Sequence, residues 1–278
     1  MKISVASSVF VNYSLREAIR IIANSGYDAI DIWGGRPHVY RRDYNWRDLK
    51  ELRIFLEENN LKVSSFMPAF FRYPYSLSNP NDRIRQDSID YMRDCMDSAA
   101  ILEAEILLVI PGKSLIDQDL EDAKRRNIES IEMVCHYSQD YDFRLGLEPA
   151  NAFVTDLVNT ATDAIKIVDD LNFENLGVVL DTGHMNLVKD SPENAVRVLG
   201  DCLLQIHTND NDGVHQLNLV PGDGNFDFPN LIDTLQISGF RGYLSAELAW
   251  DYSSNPEPFV KLAAKRLREL IDNNKQGN

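Results

Sequence analysis

Four residues able to bind a metal ion end four successive apolar runs in the second half of the chain. RLGLEP ends its run in Glu148, GVVLDTGH in Asp181, LLQIH in His207 and YLSAEL in Glu247. An ionised carboxylate at the edge of an apolar core is costly unless it is paired or bound to a cation. If the four side chains converge, three carboxylates and one imidazole need a cation to offset their mutual repulsion.

The oxygen-rich set with a single imidazole favours a hard or borderline divalent ion. Mn²⁺ or Mg²⁺ comes first, Co²⁺ and Zn²⁺ are further candidates, and the sequence does not choose among them. Each residue taken alone also has a structural interpretation: Asp181 as a turn cap, His207 as a core histidine, and Glu247 as the partner of Arg241 or Arg144. The recurrence of such endings in four consecutive strands favours the metal site.

The same residues suggest acid–base chemistry. A divalent cation polarises a carbonyl and an adjacent hydroxyl, which lowers the barrier to removing a carbon-bound proton. Glu148 and Glu247 are expected to flank a substrate, so that one removes a proton from one face and the other returns a proton to the opposite face, through an enediolate. His184, one turn beyond Asp181, either donates a hydrogen bond to a substrate oxygen or supports a metal ligand.

The elements that must position these residues alternate regularly along the chain. Val-, Ile- and Leu-rich runs typical of buried parallel strands alternate with amphipathic stretches, without a linker that would mark a second domain. No Gly-rich GxGxxG turn follows the first strand, as a doubly wound dinucleotide-binding sheet would require. The pattern predicts an α/β fold, a (β/α)₈ TIM barrel forming one domain over residues 1–278. The predicted strands are Ile3–Ala6, Asp28–Trp33, Lys62–Phe66, Glu105–Ile110, Arg144–Glu148, Gly177–Asp181, Leu203–His207 and Tyr243–Glu247.

Local signals support the helices between them. Ser14 with Glu17 predicts a capping box before LREAIRIIANSG, which is expected to stop at Gly26. Pro192 after Ser191 opens ENAVRVL at a favoured first helical position.

Composition limits the classes of function. The net charge of −15, with basic residues scattered among acids, argues against nucleic acid as a partner. Three widely spaced cysteines give no disulfide framework and no cysteine zinc site. No apolar run is long enough to cross a membrane, and the N-terminal ISVASSVFV is predicted to be a first strand, not a signal peptide. We therefore expect a cytoplasmic protein.

Several of these motifs together resemble the xylose isomerase-like TIM-barrel superfamily, in particular its sugar isomerase/epimerase branch. They are LEP at 147–149, DTGHMN at 181–186, IHTND at 206–210, PGDGNFDF at 221–228 and AEL at 246–248, and their order and spacing match over essentially the whole chain. GYDAIDIWGGRPH at 26–38 and YPYS at 73–76 resemble fructoselysine 3-epimerase. HMN after DTG is similar to the D-tagatose/D-psicose 3-epimerases.

The resemblance implies a metal-dependent sugar epimerase acting on a ketose or ketose derivative, of ketohexose or fructosamine type. It implies that Glu148, Asp181, His207 and Glu247 bind the metal, that Glu148 and Glu247 also transfer the proton, and that His184 contacts the substrate. It also implies a homo-oligomer, a dimer or tetramer.

Two departures concern the substrate. The ketohexose 3-epimerases place a glutamate six residues beyond the first metal glutamate and an arginine six beyond the metal histidine, where this chain has Val154 and Gly213. Other polar side chains would then hold the substrate. The candidates are Asn151, Asp210 and His215, together with Trp33, Arg36, His38, Tyr73 and Tyr75 in the loops after the second and third strands, where stacking on a sugar ring competes with loop packing or an oligomer contact as the explanation.

Other functions share this frame. Aldose–ketose isomerases, hydroxypyruvate isomerase and inosose or dehydroshikimate dehydratases also use a metal to stabilise an enolate-like intermediate. An endonuclease IV-like DNA repair enzyme is disfavoured, because the SSFMPAFF and LLVIPGK segments lack the additional histidines of that group. A sugar-binding barrel without turnover is disfavoured because all four ligand positions are intact.

Overall fold

The computed structural model describes residues 1–70 and 74–273. Eight parallel strands close into a barrel in which each strand pairs with the next and the last pairs with the first. The predicted (β/α)₈ architecture is therefore confirmed, with small shifts at the strand ends. The strands are β1 (Lys2–Ala6), β2 (Ala29–Trp33), β3 (Lys62–Met67), β4 (Ile106–Val109), β5 (Arg144–Leu147), β6 (Leu176–Asp181), β7 (Leu203–Thr208) and β8 (Tyr243–Ala246).

Helices follow the strands and cover the outside of the barrel. The described α-helices are α1 (Leu15–Asn24), α2 (Trp46–Glu58), α3 (Asp82–Ile101), α4 (Leu120–Ser138), α5 (Ala161–Leu171), α6 (Thr182–Val188), α7 (Pro192–Leu199), α8 (Phe228–Ile237) and α9 (Glu257–Asn273). None of the helices in the described ranges is long and apolar enough to cross a membrane.

The helix termini follow the local sequence. The Ser14 hydroxyl accepts a hydrogen bond from the Glu17 backbone N–H, which caps α1. The Glu17 carboxylate pairs with Arg20 at 3.0 Å, so it does not complete the predicted capping box. Pro192 opens α7, as predicted, behind the Ser191 cap.

The barrel interior has a polar half and an apolar half. Asp31 accepts hydrogen bonds from Ser64, Gln205 and Ser245, which belong to β3, β7 and β8. Because β2 and β7 are not neighbours, these side chains must meet inside the barrel. The other half is a separate apolar cluster, formed by Ala6, Met67, Ile106, Leu108 and Val179.

Glycine at position 146 is required by this apolar half. A Cβ on Gly146 would lie 2.6 Å from Val179 Cγ2 and 2.9 Å from Ile106 Cγ2, closer than packed carbon atoms allow. The two branched side chains therefore fill the space beside β5, two residues before Glu148.

The strand ladder continues to the first residue beyond β5 and β8. The Glu148 N–H donates to the Val109 carbonyl at 3.0 Å, and the Glu247 N–H donates to the Thr208 carbonyl at 3.1 Å. Both glutamates are thus fixed by backbone hydrogen bonds at the carboxyl-terminal rim, the rim that carries active sites in this fold.

Candidate active site

The four residues predicted to bind a metal converge at this rim. One ligand atom from each of Glu148, Asp181, His207 and Glu247 lies within 4.8 Å of all the others. His207 Nδ1 is 2.7 Å from Glu148 Oε1 and 3.2 Å from Glu247 Oε2. Carboxylate oxygens around one imidazole nitrogen form a donor set that fits a divalent cation such as Mn²⁺, Mg²⁺, Co²⁺ or Zn²⁺.

Burial and mutual repulsion shift the protonation of the cluster. Burial, together with the charges of Glu247 and Glu148, raises the pKa of Asp181 to about 6 against the opposing effects of His184 and His207. Burial lowers the pKa of His207, but Glu148, Asp31 and Glu247 outweigh it and hold that pKa well above its usual range. Burial raises the pKa of Glu247, but the hydrogen bond to His207 and its charge outweigh burial and lower that pKa. Without a cation, the cluster therefore tends to keep its proton on His207, and a bound cation would displace it.

Asp181 is held from two sides. Its Oδ1 accepts the His184 backbone N–H at 2.7 Å at the start of α6, and its Oδ2 accepts Asn209 Nδ2 at 2.6 Å. Thr182 Oγ1 donates to the Asn209 carbonyl and accepts the Asn209 N–H, which ties β7 to α6. Gly183 makes this approach possible, because a Cβ there would collide with Asn209 Oδ1.

The His184 side chain faces the cavity with a defined tautomer. The Phe153 N–H donates to Asn151 Oδ1 at 2.8 Å, so Asn151 Nδ2 must be the donor to His184 Nδ1, also at 2.8 Å. With Nδ1 accepting, neutral His184 carries its proton on Nε2, which is then free of this network and able to donate to a ligand. Both predicted roles of His184 thus have a structural counterpart, the backbone supporting Asp181 and the ring lining the cavity.

A cavity of about 1050 Å³ opens above the cluster. Glu148, Glu247, His184 and Asn151 form part of its floor, and apolar residues including Met67, Leu108, Leu187 and Trp250 form much of its wall. Among the described residues, its lining contains Asp251 in addition to the two glutamates, but neither lysine nor arginine. A mostly apolar concavity with a few convergent polar groups is typical of a small-molecule site.

Four of the residues predicted to contact substrate line this cavity: His184, Asn151, Trp33 and His215. The Trp33 ring meets Trp250 edge to face, with centroids 5.6 Å apart. His215 lies at the mouth, largely exposed and hydrogen-bonded to Asp212 at 2.7 Å.

Arg36 and His38 do not reach the cavity. Arg36 makes a two-point ion pair with Asp43, at 2.6 and 2.8 Å, and lies over the Tyr40 ring on the surface. His38 is buried, and its Nδ1 is 3.0 Å from Ser7 Oγ, the atom that also accepts the Trp33 N–H. Each of the two residues has a local partner that turns it away from the rim.

Tyr75 and Asp210 are also used elsewhere. Tyr75 stacks on Tyr91 with centroids 4.1 Å apart and borders a separate, smaller cavity. Asp210 accepts the backbone N–H groups of Gly222, Gly224 and Phe226 and so closes the 221–226 loop. Tyr73 lies outside the described residues.

Two polar residues beside the cluster are absent from the sequence predictions. Asn209 contacts Asp181, although its neighbour Asp210 was the predicted substrate contact. Asp31 contacts His207 Nε2 at 3.3 Å from the opposite side of the ring. The sequence does contain a signal for Asp31: it is an acid in the middle of the apolar strand AIDIW, and a buried acid needs a partner.

Curated proteins with named activities are similar to this chain over most of its length. Fructoselysine 3-epimerase of Escherichia coli O157:H7 is 24% identical over 257 residues, covering 92% of this chain and 94% of that protein. D-psicose 3-epimerase of Agrobacterium fabrum (strain C58 / ATCC 33970) is 29% identical over 251 residues, covering 87% and 78%. The homologues with named activities thus include sugar 3-epimerases, the enzyme class that the sequence predicts.

Solved structures share the fold. A D-tagatose 3-epimerase-like protein superposes with a TM-score of 0.86 at 24% identity, covering 100% of both chains. D-psicose 3-epimerase from Clostridium cellulolyticum H10, solved with D-tagatose, gives a TM-score of 0.84 at 20% identity, covering 98% of this chain and 99% of that one. Residues 19–270 match the family described as "Xylose isomerase-like TIM barrel", and the chain belongs to that family.

Proposed function

We propose that this protein is a metal-dependent sugar epimerase that inverts C3 of a ketose or ketose derivative through an enediolate. The observation that carries the proposal is the placement of Glu148 and Glu247. Both carboxylates lie beside His207 Nδ1 and both line the cavity. The named 3-epimerase relatives support the same reaction.

We propose Glu148, Asp181, His207 and Glu247 as the metal ligands and Mn²⁺ as the first candidate, followed by Mg²⁺, Co²⁺ and Zn²⁺. The bound cation would supply Lewis-acid polarisation of the substrate carbonyl and neighbouring hydroxyl. The donor set fits this role because its oxygens converge on one buried imidazole.

Two glutamates then provide the proton transfer. One carboxylate takes the proton from C3, and the electron pair moves into the C2–C3 bond as the carbonyl oxygen gains charge. The other glutamate, protonated, returns a proton to the opposite face of C3, which inverts that centre. The His184 Nε2–H, placed by Asn151, donates to the oxygen that becomes negative.

The cavity also narrows the substrate class. A phosphate group commonly requires a cationic or N–H-rich pocket, and the described lining offers two catalytic carboxylates and Asp251 instead. The volume of about 1050 Å³ lies at the upper end of the roughly 300–1,000 Å³ of small-molecule sites. We therefore propose an unphosphorylated ketose, with a fructosamine-type derivative preferred over a free ketohexose.

Val154 and Gly213 support this preference. Both line the cavity. They stand at the positions where the resemblance to the ketohexose 3-epimerases implies a glutamate and an arginine. Gly213 has a φ of +76° with Lys189 Nζ close by, so a longer side chain would be strained there.

The test is proton NMR in D₂O of the metal-loaded protein with ketohexoses, pentuloses and fructosyl-amines, against an EDTA-treated control. We expect metal-dependent deuterium exchange at C3, fastest with a fructosyl-amine. Exchange at C1 of a ketose or C2 of an aldose would indicate an aldose–ketose isomerase instead. Absence of exchange with every sugar would favour a dehydratase, a hydroxypyruvate isomerase or a binding protein.

A homodimer or homotetramer remains a prediction, as does the absence of nucleic acid among the partners. Analytical ultracentrifugation and a filter-binding assay with duplex DNA would test the two.

A further inference from the structure

Asp31 is a fully buried carboxylate at the centre of β2, outside the four-residue cluster. Its contacts reach across the barrel: Ser64 Oγ donates to Oδ1, while Gln205 Nε2, at 2.8 Å, and Ser245 Oγ donate to Oδ2. Three donors from three strands fix both carboxylate oxygens. The position of Asp31 is therefore set by the barrel itself.

His207 lies between Asp31 and the two glutamates. Its Nδ1 faces Glu148 and Glu247, whereas its Nε2 is 3.3 Å from Asp31 Oδ2 and makes no hydrogen bond within the described residues. An imidazole that binds a cation through one nitrogen keeps its proton on the other. The carboxylate next to Nε2 is thus in the place where it selects Nδ1 as the ligand atom.

A buried carboxylate without a cationic or hydrogen-bonding role is destabilising. Three neutral donors satisfy part of the Asp31 charge, and the polar half of the barrel interior would be filled as well by an uncharged side chain. The proximity to His207 explains why a charged side chain occupies this position. A carboxylate behind a metal-binding histidine orients the ring and makes it a better ligand.

We propose that Asp31 is a positioning residue: when a cation holds Nδ1 of His207, the Asp31 carboxylate accepts the Nε2–H and keeps Nδ1 aimed at the cation site. This inference rests on the metal site of the proposed function. It does not depend on the identity of the sugar or on the position of proton exchange.

The experiment compares wild-type protein with Asp31→Asn and with Ser65→Ala as a matched control. Ser65 is buried next to Ser64 on β3, and its hydroxyl makes no hydrogen bond within the described residues. Mn²⁺ affinity is measured from the electron paramagnetic resonance signal of free Mn²⁺. We expect roughly 10- to 100-fold weaker binding for Asp31→Asn and less than twofold change for Ser65→Ala.

A second readout observes His207 directly. In Zn²⁺-loaded, ¹⁵N-histidine-labelled protein, the Nε2-bound proton of His207 should resonate downfield, and Asp31→Asn should move it upfield. Unchanged Mn²⁺ affinity together with an unchanged proton signal would overturn the role of Asp31. If wild-type protein binds neither ion, both this inference and the metal site are wrong, whereas metal binding without sugar turnover removes the proposed function alone.

Should Asp31→Asn fail to fold, Ser245→Ala decides the question. This change removes one donor to Oδ2 while it keeps the carboxylate, so we expect a threefold or greater loss of Mn²⁺ affinity. Unchanged affinity in Ser245→Ala, together with a wild-type Nε2 proton that does not resonate downfield in the Zn²⁺-loaded protein, would then overturn the proposal.

Discussion

Two parts of the carboxyl-terminal rim of the barrel differ in what their polar residues contact: the part formed by β5–β8 and the part formed by the loops after β2 and β3. Glu148, Asp181, His207 and Glu247 lie at the carboxyl ends of strands β5–β8 and converge within 4.8 Å. Arg36 and His38, in the loop after β2, turn to local partners instead. A residue that belongs to a strand end is aimed by the closed barrel, whereas a loop residue is aimed by whichever neighbour satisfies it.

The largest effect is expected at the strand ends. Glu148→Gln and Glu247→Gln should each lower the C3 exchange rate by roughly 10²- to 10⁴-fold, because the amide cannot take or return a proton. Exchange followed by proton NMR in D₂O measures this. The circular dichroism spectrum serves as the folding control, and a fully active Gln variant would remove that residue from the proton-transfer role.

Metal removal should be the next largest effect. A cation that binds only the folded protein at 100 times its Kd adds about 2.7 kcal/mol of stability. For a chain of this size this corresponds to a rise in Tm of roughly 5–10 °C over the EDTA-treated protein. Differential scanning calorimetry with Mn²⁺, Mg²⁺, Co²⁺ and Zn²⁺ would rank the ions. Asp181→Asn should reduce the shift, and an equal shift in that variant would place the ion elsewhere.

Trp33, the last residue of β2, lines the cavity, unlike Arg36 and His38 in the loop that follows. Trp33→Ala removes a large apolar wall, worth about 1.5–3 kcal/mol of contact with a bound substrate. We expect KM to rise roughly 10- to 100-fold with a smaller change in kcat. Saturation kinetics separate the two constants, and a loss confined to kcat would instead assign Trp33 to the chemical step.

His38 should affect stability, and its effect should depend on pH. Burial lowers the pKa of His38 to about 4 in the folded protein. Between about pH 6.5 and pH 4, the His38 imidazole therefore takes up a proton in the unfolded chain but not in the folded one. The stability due to neutral His38 is complete above about pH 6.5 and is lost towards pH 4, with a slope of up to about 1.4 kcal/mol per pH unit. Urea unfolding of wild type and His38→Gln between pH 4 and 7 should differ by this slope, and parallel curves would contradict it.

The smallest effect is expected at Arg36. Its ion pair with Asp43 is largely exposed and lies outside the cavity. Arg36→Ala should therefore leave kcat and KM within twofold of wild type and change stability by less than about 1 kcal/mol. A large rise in KM would show that the loop closes over the substrate. It would contradict the difference between the two parts of the rim.

The sequence by itself determined the barrel and the metal-site candidates. Both follow from short-range patterns: apolar runs that end in Glu148, Asp181, His207 and Glu247, spaced by helices. Parallel closure then brings the carboxyl ends of the strands to one rim without further information. The same logic predicts every strand bound to within one residue.

Only the tertiary structure decided which polar residues serve the site. Asn209 contacts Asp181 while its neighbour Asp210 closes a loop, a choice made by backbone direction at the end of β7. Asp31 contacts His207 across 176 positions of sequence, through the barrel interior. Such contacts depend on the packing of strands that are distant in the chain, so a local pattern can indicate that Asp31 needs a buried partner but not which residue is that partner.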